Sequence, residues 1–122
     1  MPIVDIELVC ESEAEFSGVS AARLADALGA ALGTAPGRTW VRLRYLSSRH
    51  YAENDSTLAG AELPAFVTVL HAHAPDAETL AGEARLITEV VARSLARAPQ
   101  RVHVQYAPPG AGRQAFGGEW VR

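Results

Sequence analysis

Apolar and polar residues alternate along three segments of the chain, which is the pattern of a β-strand with one buried face, and a fourth, mostly apolar segment is also predicted to be a strand. The first strand is predicted from residue 2, with Val4, Ile6 and Leu8 on one face. The other three strands are predicted over residues 40–45, 64–70 and 102–106. For the segment 64–70 the pattern alone leaves open which face meets the core.

Two stretches between the strands have the spacing of amphipathic helices. Ser20 is a suitable N-cap for a helix over residues 21–33, which Gly33 would end. Asp76 is a suitable N-cap for a second helix, which ends before Pro99. The apolar positions are Leu24, Leu28 and Leu32 in the first helix, and Leu80, Leu86, Ile87, Val90, Val91 and Leu95 in the second. The predicted order is therefore strand, helix, strand, twice over.

The two halves of the chain repeat each other. The segment Val41-Arg42-Leu43-Arg44-Tyr45 has the same pattern as Val102-His103-Val104-Gln105-Tyr106, 61 residues later. A crossover through a helix makes the two strands of each half parallel and right-handed. We therefore predict an α+β protein in which tandem β-α-β repeats form a four-stranded mixed sheet with two helices on one face. The repeats span residues 2–46 and 64–107 of a single domain (1–122), with a linker at 47–63 and a glycine-rich tail at 108–122.

The second face of this sheet has no helix to cover it. We expect Trp40, Val67 and Val69 to lie there beside polar side chains. A partly apolar sheet face is commonly buried by other subunits. The pattern therefore predicts an oligomer.

Composition narrows the class of protein. Of 122 residues, 48% are apolar and 20% are charged, as in ordinary globular proteins. The net charge is -3 and the chain has no lysine, so nucleic-acid binding through a basic face is not expected. No basic leader or long apolar segment occurs, and we expect a cytoplasmic protein without membrane attachment. Cys10 is the single cysteine, which excludes an internal disulfide.

Three features together resemble one family. Pro2-Ile3 opens the first strand, Val41-Arg42-Leu43 follows Ala35-Pro36, and Phe116-Gly117-Gly118 lies in the tail. With the repeated β-α-β order, they make the chain similar to the tautomerase superfamily over its whole length. That group includes 4-oxalocrotonate tautomerase, 5-carboxymethyl-2-hydroxymuconate isomerase, malonate semialdehyde decarboxylase and macrophage migration inhibitory factor.

The resemblance implies a cofactor-free enzyme that works as a homotrimer of fused units. It implies that the amine of Pro2 is the general base and acid, that Arg42 holds a substrate carboxylate, and that Phe116 belongs to the pocket wall. The substrate implied is a small carboxylic acid.

The chemistry of an N-terminal proline supports this assignment. An α-amino group has a pKa of about 7.7–8.0, and apolar surroundings or nearby arginines lower that pKa further. Such an amine can remove a proton from a carbon next to a carbonyl and return it elsewhere on the product. The amine is free only after Met1 is removed, because a retained Met1 turns it into an amide.

Two arginines are candidates for binding the carboxylate. Arg42 and Arg44 share a strand face with Trp40. Each can hold a carboxylate in fork geometry, or pair with Asp5 and Glu7 across the sheet. For Arg42 we favour the substrate carboxylate, and for Arg44 the two interpretations stand level.

The histidines are predicted to line a polar substrate pocket or a subunit contact. His71 and His73 lie two apart on a strand and project to one side, and His103 holds the place in the second repeat that Arg42 holds in the first. No carboxylate or cysteine joins them at ligand spacing, so we expect no metal site. Arg113 in the tail either reaches the substrate or faces solvent.

We therefore expect an isomerase that moves a proton in a small enol or keto acid. One alternative is a hydratase, dehalogenase or decarboxylase that uses the same proline, with Glu119 and Asp55 as candidates for activating water. The other alternative is a trimeric binding protein without catalysis, which a retained Met1 would favour.

Overall fold

The four predicted strands form one mixed sheet. A computed structural model describes residues 2–122 of the chain. The strands are β1 (Pro2–Cys10), β2 (Trp40–Ser47), β3 (Ala65–His71) and β4 (Val102–Tyr106). Their order is β2-β1-β3-β4, with parallel pairing within each half and antiparallel pairing of β1 with β3. The predicted fold class is confirmed.

Two long helices cover one face of the sheet, and each begins at its predicted cap. The helices are α1 (Glu13–Ser17), α2 (Ala21–Leu32) and α3 (Ala77–Leu95), of which α1 was not predicted. The Ser20 hydroxyl accepts a hydrogen bond from the Arg23 amide, and the Asp76 carboxylate accepts one from the Thr79 amide at 2.8 Å. Gly33 ends α2 in the left-handed conformation, with φ of 66°. Short 3₁₀ turns lie at Ser48–His50, Gly60–Glu62 and Pro99–Arg101.

The core lies between the helices and the inner face of the sheet, and it corrects one expectation. Val67 and Val69 pair in register with Ile6 and Val4 of β1, and all four side chains are fully buried beneath the helices. Opposite residues in a strand pair point to the same face. Our placement of Val67 and Val69 on the uncovered face is therefore wrong, because the register with β1 turns them inward.

The uncovered face of the sheet, called the open face below, carries mostly polar side chains. Strand register arranges them in rows across the sheet. The rows are Trp40, Ile3 and Leu70; then Arg42, Asp5, Thr68 and Gln105; then Arg44, Glu7, Phe66 and His103. The first of these rows is apolar and lies at the end of the sheet where β1 begins, and the apolar pair Val9 and Leu46 continues the face at the opposite end.

The tail folds back onto that same end of the sheet. The amides of Gly110 and Ala111 donate to the carbonyls of His71 and Ala72, each at 2.8 Å. Beyond them, β5 (Ala115–Phe116) and β6 (Glu119–Trp120) form a small hairpin. Its turn residues Gly117 and Gly118 have φ of 57° and 88°, a region that favours glycine. The glycine-rich tail is therefore an ordered part of the site described next.

No helix within residues 2–122 is long and apolar enough to cross a membrane.

Candidate active site

Pro2 and His71 are direct neighbours at the end of the sheet. They face each other across the antiparallel β1–β3 pair, and Pro2 is buried. Residues opposite one another in such a pair have Cβ atoms about 4.5–5.5 Å apart and point to the same face. Both side chains lie on the helix side, in line with buried Val4 and Val69. Met1 lies outside the described residues, and its removal stays a prediction.

His71 belongs to a cluster of three polar side chains beneath α3. Its Nε2 atom lies 2.8 Å from Glu83 Oε2, and the Tyr106 hydroxyl donates to that same oxygen at 2.6 Å. The rings of His71 and Tyr106 stack with centroids 5.9 Å apart. The side chains of His71 and Glu83 are each only 13% exposed. We call these three residues the His71 cluster.

The Tyr106 hydroxyl is held in its protonated form. Burial, and then the hydrogen bond to Glu83, raise the pKa of Tyr106 well above its ordinary value. The hydroxyl therefore remains a hydrogen-bond donor to the Glu83 carboxylate, and Tyr106 is more than the core residue that its alternating pattern suggests.

Glu83 is a residue that sequence reasoning missed. It lies three residues after Leu80 and four before Ile87, on the side of α3 that faces the sheet. A carboxylate within an apolar helical stripe indicates a buried polar partner, since a buried charge needs compensation. That signal was present in the sequence, but the partners become evident only from the strand register.

An aromatic pair lies on the open face beside the start of β1. Trp40 is the register partner of Ile3, and its ring meets Phe116 of the tail hairpin edge to face at 5.7 Å. The Trp40 indole N–H donates to the Gly37 carbonyl at 2.9 Å, which fixes the ring. Phe116 therefore lies near the apolar row next to Pro2, and its role in a pocket wall stays a prediction.

Arg42 forms the cross-strand pair that was the alternative to substrate binding. Its Nη2 atom donates to Asp5 Oδ2 at 2.7 Å, and its Nε atom donates to Oδ1. This bidentate contact lowers the pKa of Asp5 and raises that of Arg42. Arg44 faces Glu7 in register, yet within residues 2–122 it forms no ion pair.

One chain does not bring Arg42 to Pro2. The arginine side chain lies on the open face, whereas Pro2 points to the helix side. The two are also separated along the strand, because Arg42 is level with Asp5 rather than with Pro2. The predicted roles of Arg42 and Arg44 in carboxylate binding are not tested by this geometry and stay predictions.

The remaining predicted residues are dispersed. His73 lies past the end of β3, so it does not share the strand with His71, and its Nε2 atom is 2.6 Å from the Arg122 carbonyl oxygen. His103 lies on the open face with its ring 5.5 Å from that of Phe66. Arg113 is exposed in the tail turn.

The open face also holds a shallow groove of about 430 Å³ that is distinct from the Pro2 end. It is lined by Asp5, Glu7, Arg44, Phe66, His103 and Gln105, among others. Within residues 2–122, no group of three or more histidine, cysteine or acidic side chains is placed to hold a metal ion.

Solved structures share this fold across nearly the whole chain. Pt0534 inactivated by 2-oxo-3-pentynoate has 18% sequence identity and a TM-score of 0.75, covering 98% of this chain and 95% of that chain. The F6 fused 4-OT asymmetric trimer has 15% identity and a TM-score of 0.73, with the same two coverages of 98% and 95%. Macrophage migration inhibitory factor from Oncomelania hupensis has 18% identity and a TM-score of 0.71, covering 99% of this chain and 82% of that chain.

The chain therefore shares its fold with these proteins, and the predicted resemblance is confirmed at the level of the fold. Comparison with protein-family models and with curated proteins gives no match.

Proposed function

We propose that this protein is a cofactor-free tautomerase that moves a proton within a small enol or keto acid. The observation that carries the proposal is the position of Pro2, which opens β1 in a buried place beside the His71 cluster. Burial of an amine disfavours the ammonium form, and a neutral amine is what a general base requires. The fold shared with a fused 4-OT supports the same reaction class.

In the proposed reaction, the Pro2 amine removes a proton from a carbon next to the carbonyl. The C–H bond breaks, an N–H bond forms, and the electron pair moves onto the carbonyl oxygen of the enolate. The same ammonium then returns the proton to another carbon of the conjugated system. With an enol acid the amine takes its proton from the enol hydroxyl instead: the O–H bond breaks, the carbonyl forms, and the ammonium then protonates carbon. No net proton or electron is gained or lost, which is why no cofactor is invoked.

The proposal includes a homotrimer, in which Arg42 reaches the Pro2 site of a neighbouring copy. Arg42 of the same chain faces away from Pro2, so an Arg42 at the site would belong to a neighbouring copy. A fused 4-OT of the same fold is a trimer, which supports this arrangement. Light scattering of the purified protein tests it, and a stable monomer would count against both the trimer and the shared site.

The first experiment compares wild type with Pro2→Ala on phenylenolpyruvate and 2-hydroxymuconate. Intact mass is measured beforehand to establish that Met1 is absent. We expect the variant to lose activity by about 100-fold or more, because it retains a terminal amine but not the secondary amine of proline. Pro36→Ala, in the exposed turn before β2, is the matched control and should keep full activity. Equal rates for wild type and Pro2→Ala would contradict the proposal.

A second experiment finds the reactive amine without turnover. 2-Oxo-3-pentynoate carries an alkyne conjugated to a ketone, so a neutral amine adds to C4, the alkyne carbon farther from the ketone, while the amine proton moves to C3. The expected product is one adduct on Pro2 with the mass of the whole reagent, located by peptide mass spectrometry. Labelling at Cys10 or a histidine instead would count against a free Pro2 amine.

A further inference from the structure

We propose that Glu83 is a positioning residue that holds the His71 ring beside Pro2. The inference rests on the proposed function, and its subject is a residue that the reaction itself does not touch. One oxygen of Glu83 accepts hydrogen bonds from both His71 and Tyr106, at 2.8 and 2.6 Å. Two donors on one oxygen fix the carboxylate, and the carboxylate in turn fixes the imidazole.

The contact determines which nitrogen of His71 remains available. A carboxylate accepts hydrogen bonds, so the Nε2 atom that faces Glu83 carries the proton. In the neutral ring Nδ1 is then an acceptor, free to receive a hydrogen bond from the Pro2 amine or from a substrate hydroxyl. Stacking on Tyr106 at an interplanar angle of 11° sets the plane of the ring. Glu83 and Tyr106 together therefore determine the orientation and the tautomer of His71.

The first half of the chain shows that the fold does not require this carboxylate. Tyr45 is the counterpart of Tyr106, 61 residues earlier, and its ring packs against Phe16 at 5.6 Å. In the first half, the position that corresponds to the His71 cluster is thus filled by the packed rings of Tyr45 and Phe16. A buried carboxylate costs solvation energy that apolar packing does not. Pro2 lies beside His71, whose ring stacks on Tyr106, and not beside Tyr45. We therefore explain the His71 cluster by its proximity to Pro2.

The test measures kcat and KM for Glu83→Gln, with Glu89→Gln as the matched control at an exposed position of the same helix. We expect Glu83→Gln to lower kcat about tenfold or more with KM changed less than about twofold, since orientation of the acid-base pair is lost and binding is kept. Tyr106→Phe removes one of the two donors and should have a smaller effect in the same direction. Unchanged kcat in Glu83→Gln, or an equal fall in Glu89→Gln, would overturn the proposal.

Nuclear magnetic resonance of the histidine rings reports the tautomer and the hydrogen bond of His71 directly, and is compared with the fall in kcat. In the ¹⁵N-labelled wild type we expect His71 as the Nε2–H tautomer, with a ring proton that exchanges slowly with water. The slow exchange should be lost in Glu83→Gln and retained in Glu89→Gln. A His71 ring protonated on Nδ1 in its neutral form would overturn the proposal.

Failure of this proposal is distinguishable from failure of the proposed function. If wild type turns over no enol or keto acid, the rate of Pro2 labelling by 2-oxo-3-pentynoate replaces kcat, and Glu83→Gln should be labelled more slowly. Equal labelling rates would then overturn the role of Glu83. If Glu83→Gln fails to fold, Glu83→Asp takes its place, since it keeps the charge and withdraws it by one methylene. The same loss of kcat and of slow exchange is expected for Glu83→Asp.

Discussion

Two tyrosines in equivalent places have been given different surroundings. Tyr45 ends the repeated pattern of β2 and Tyr106 ends that of β4, 61 residues later. The ring of Tyr45 packs on Phe16 of α1, and within residues 2–122 its hydroxyl has no hydrogen-bonding partner. The Tyr106 hydroxyl instead donates to Glu83. The same position of the repeat therefore holds a tyrosine that only packs in the first half, and one that donates a hydrogen bond to the Glu83 carboxylate in the second.

The difference extends to the whole of each sheet end. At the end beside Tyr45, the buried Arg97 guanidinium donates to the backbone carbonyls of Val9, Leu63 and Leu95, and so joins β1, α3 and the segment before β3. Leu63 is the repeat counterpart of Pro2, and its nitrogen is an ordinary amide. The duplicated unit thus places Pro2 at one end, while the other end is closed by an arginine. We call these the Pro2 end and the Arg97 end.

The largest effect on stability is expected at the Arg97 end. Arg97→Met keeps the apolar stem and removes every guanidinium donor, leaving buried carbonyls without partners. We expect the free energy of unfolding to fall by about 3–5 kcal/mol, measured by urea denaturation. Arg93→Met, at an exposed position of α3, should change it by less than about 0.5 kcal/mol. If the free energy of unfolding fell by less than about 1 kcal/mol in Arg97→Met, water would be replacing the hydrogen bonds that the Arg97 guanidinium donates to the three carbonyls.

The two tyrosines provide the next test of the comparison. Tyr106→Phe removes a hydrogen bond to a charged group and should cost about 1.5 kcal/mol in the free energy of unfolding. Tyr45→Phe removes a hydroxyl without a partner in the described chain and should cost less than about 0.5 kcal/mol. Thermal and urea unfolding of both variants measure the difference. Equal costs would mean that the two ends are less distinct than their contacts indicate.

The smallest effect concerns a pair on the open face. Asp5 and Arg42 form an ion pair in the first half, whereas their counterparts Phe66 and His103 make a ring contact in the second. The hydrogen bonds from Arg42 hold the pKa of Asp5 below its ordinary value of about 3.9. The pair therefore stabilises the folded state above that pH, and its contribution is lost as the pH falls through the lower pKa of the folded protein.

In Asp5→Asn, the free energy of unfolding should accordingly fall less steeply as the pH is lowered into the acid range. Its dependence on pH near neutrality should change little. The profile is measured as urea midpoints between about pH 2 and pH 6, on either side of the ordinary aspartate pKa. Glu7→Gln is the control, since Glu7 lies on the same strand and face but forms no ion pair within residues 2–122. An equally steep loss of stability at acid pH in wild type and Asp5→Asn would contradict the stabilising role assigned to the Asp5–Arg42 ion pair.

Local chemistry made the elements of this fold predictable, whereas register between distant strands made the site hard to predict. Ser20, Asp76 and Gly33 act within one helical turn, and the structure places the helix ends at them. The side of β3 that meets the core depends on its pairing with β1, more than 55 residues away in the chain, and Val67 was assigned wrongly for that reason. The alternation of residues within one strand does not reveal which strand it pairs with, or in which register.

The candidate site was predictable in part for the same reason. Pro2 and Phe116 were chosen from a resemblance, and the structure places both at one end of the sheet. Glu83 was missed because its partners lie on β3 and β4, where no spacing along α3 reveals them. Arg42 was selected for its type and position, but its contact with Asp5 depends on register across the sheet.

The two tryptophans of the chain lie on the parts that frame the Pro2 end. Trp40 is 40% exposed and Trp120 is 55% exposed, one at the start of β2 and the other in the tail hairpin. Indole emission shifts when water leaves the ring, so a second copy or a ligand arriving at this end should change the emission spectrum. The Arg97 end carries no tryptophan, so binding there would not change the indole emission directly. The protein therefore contains an intrinsic optical reporter for one of its two ends.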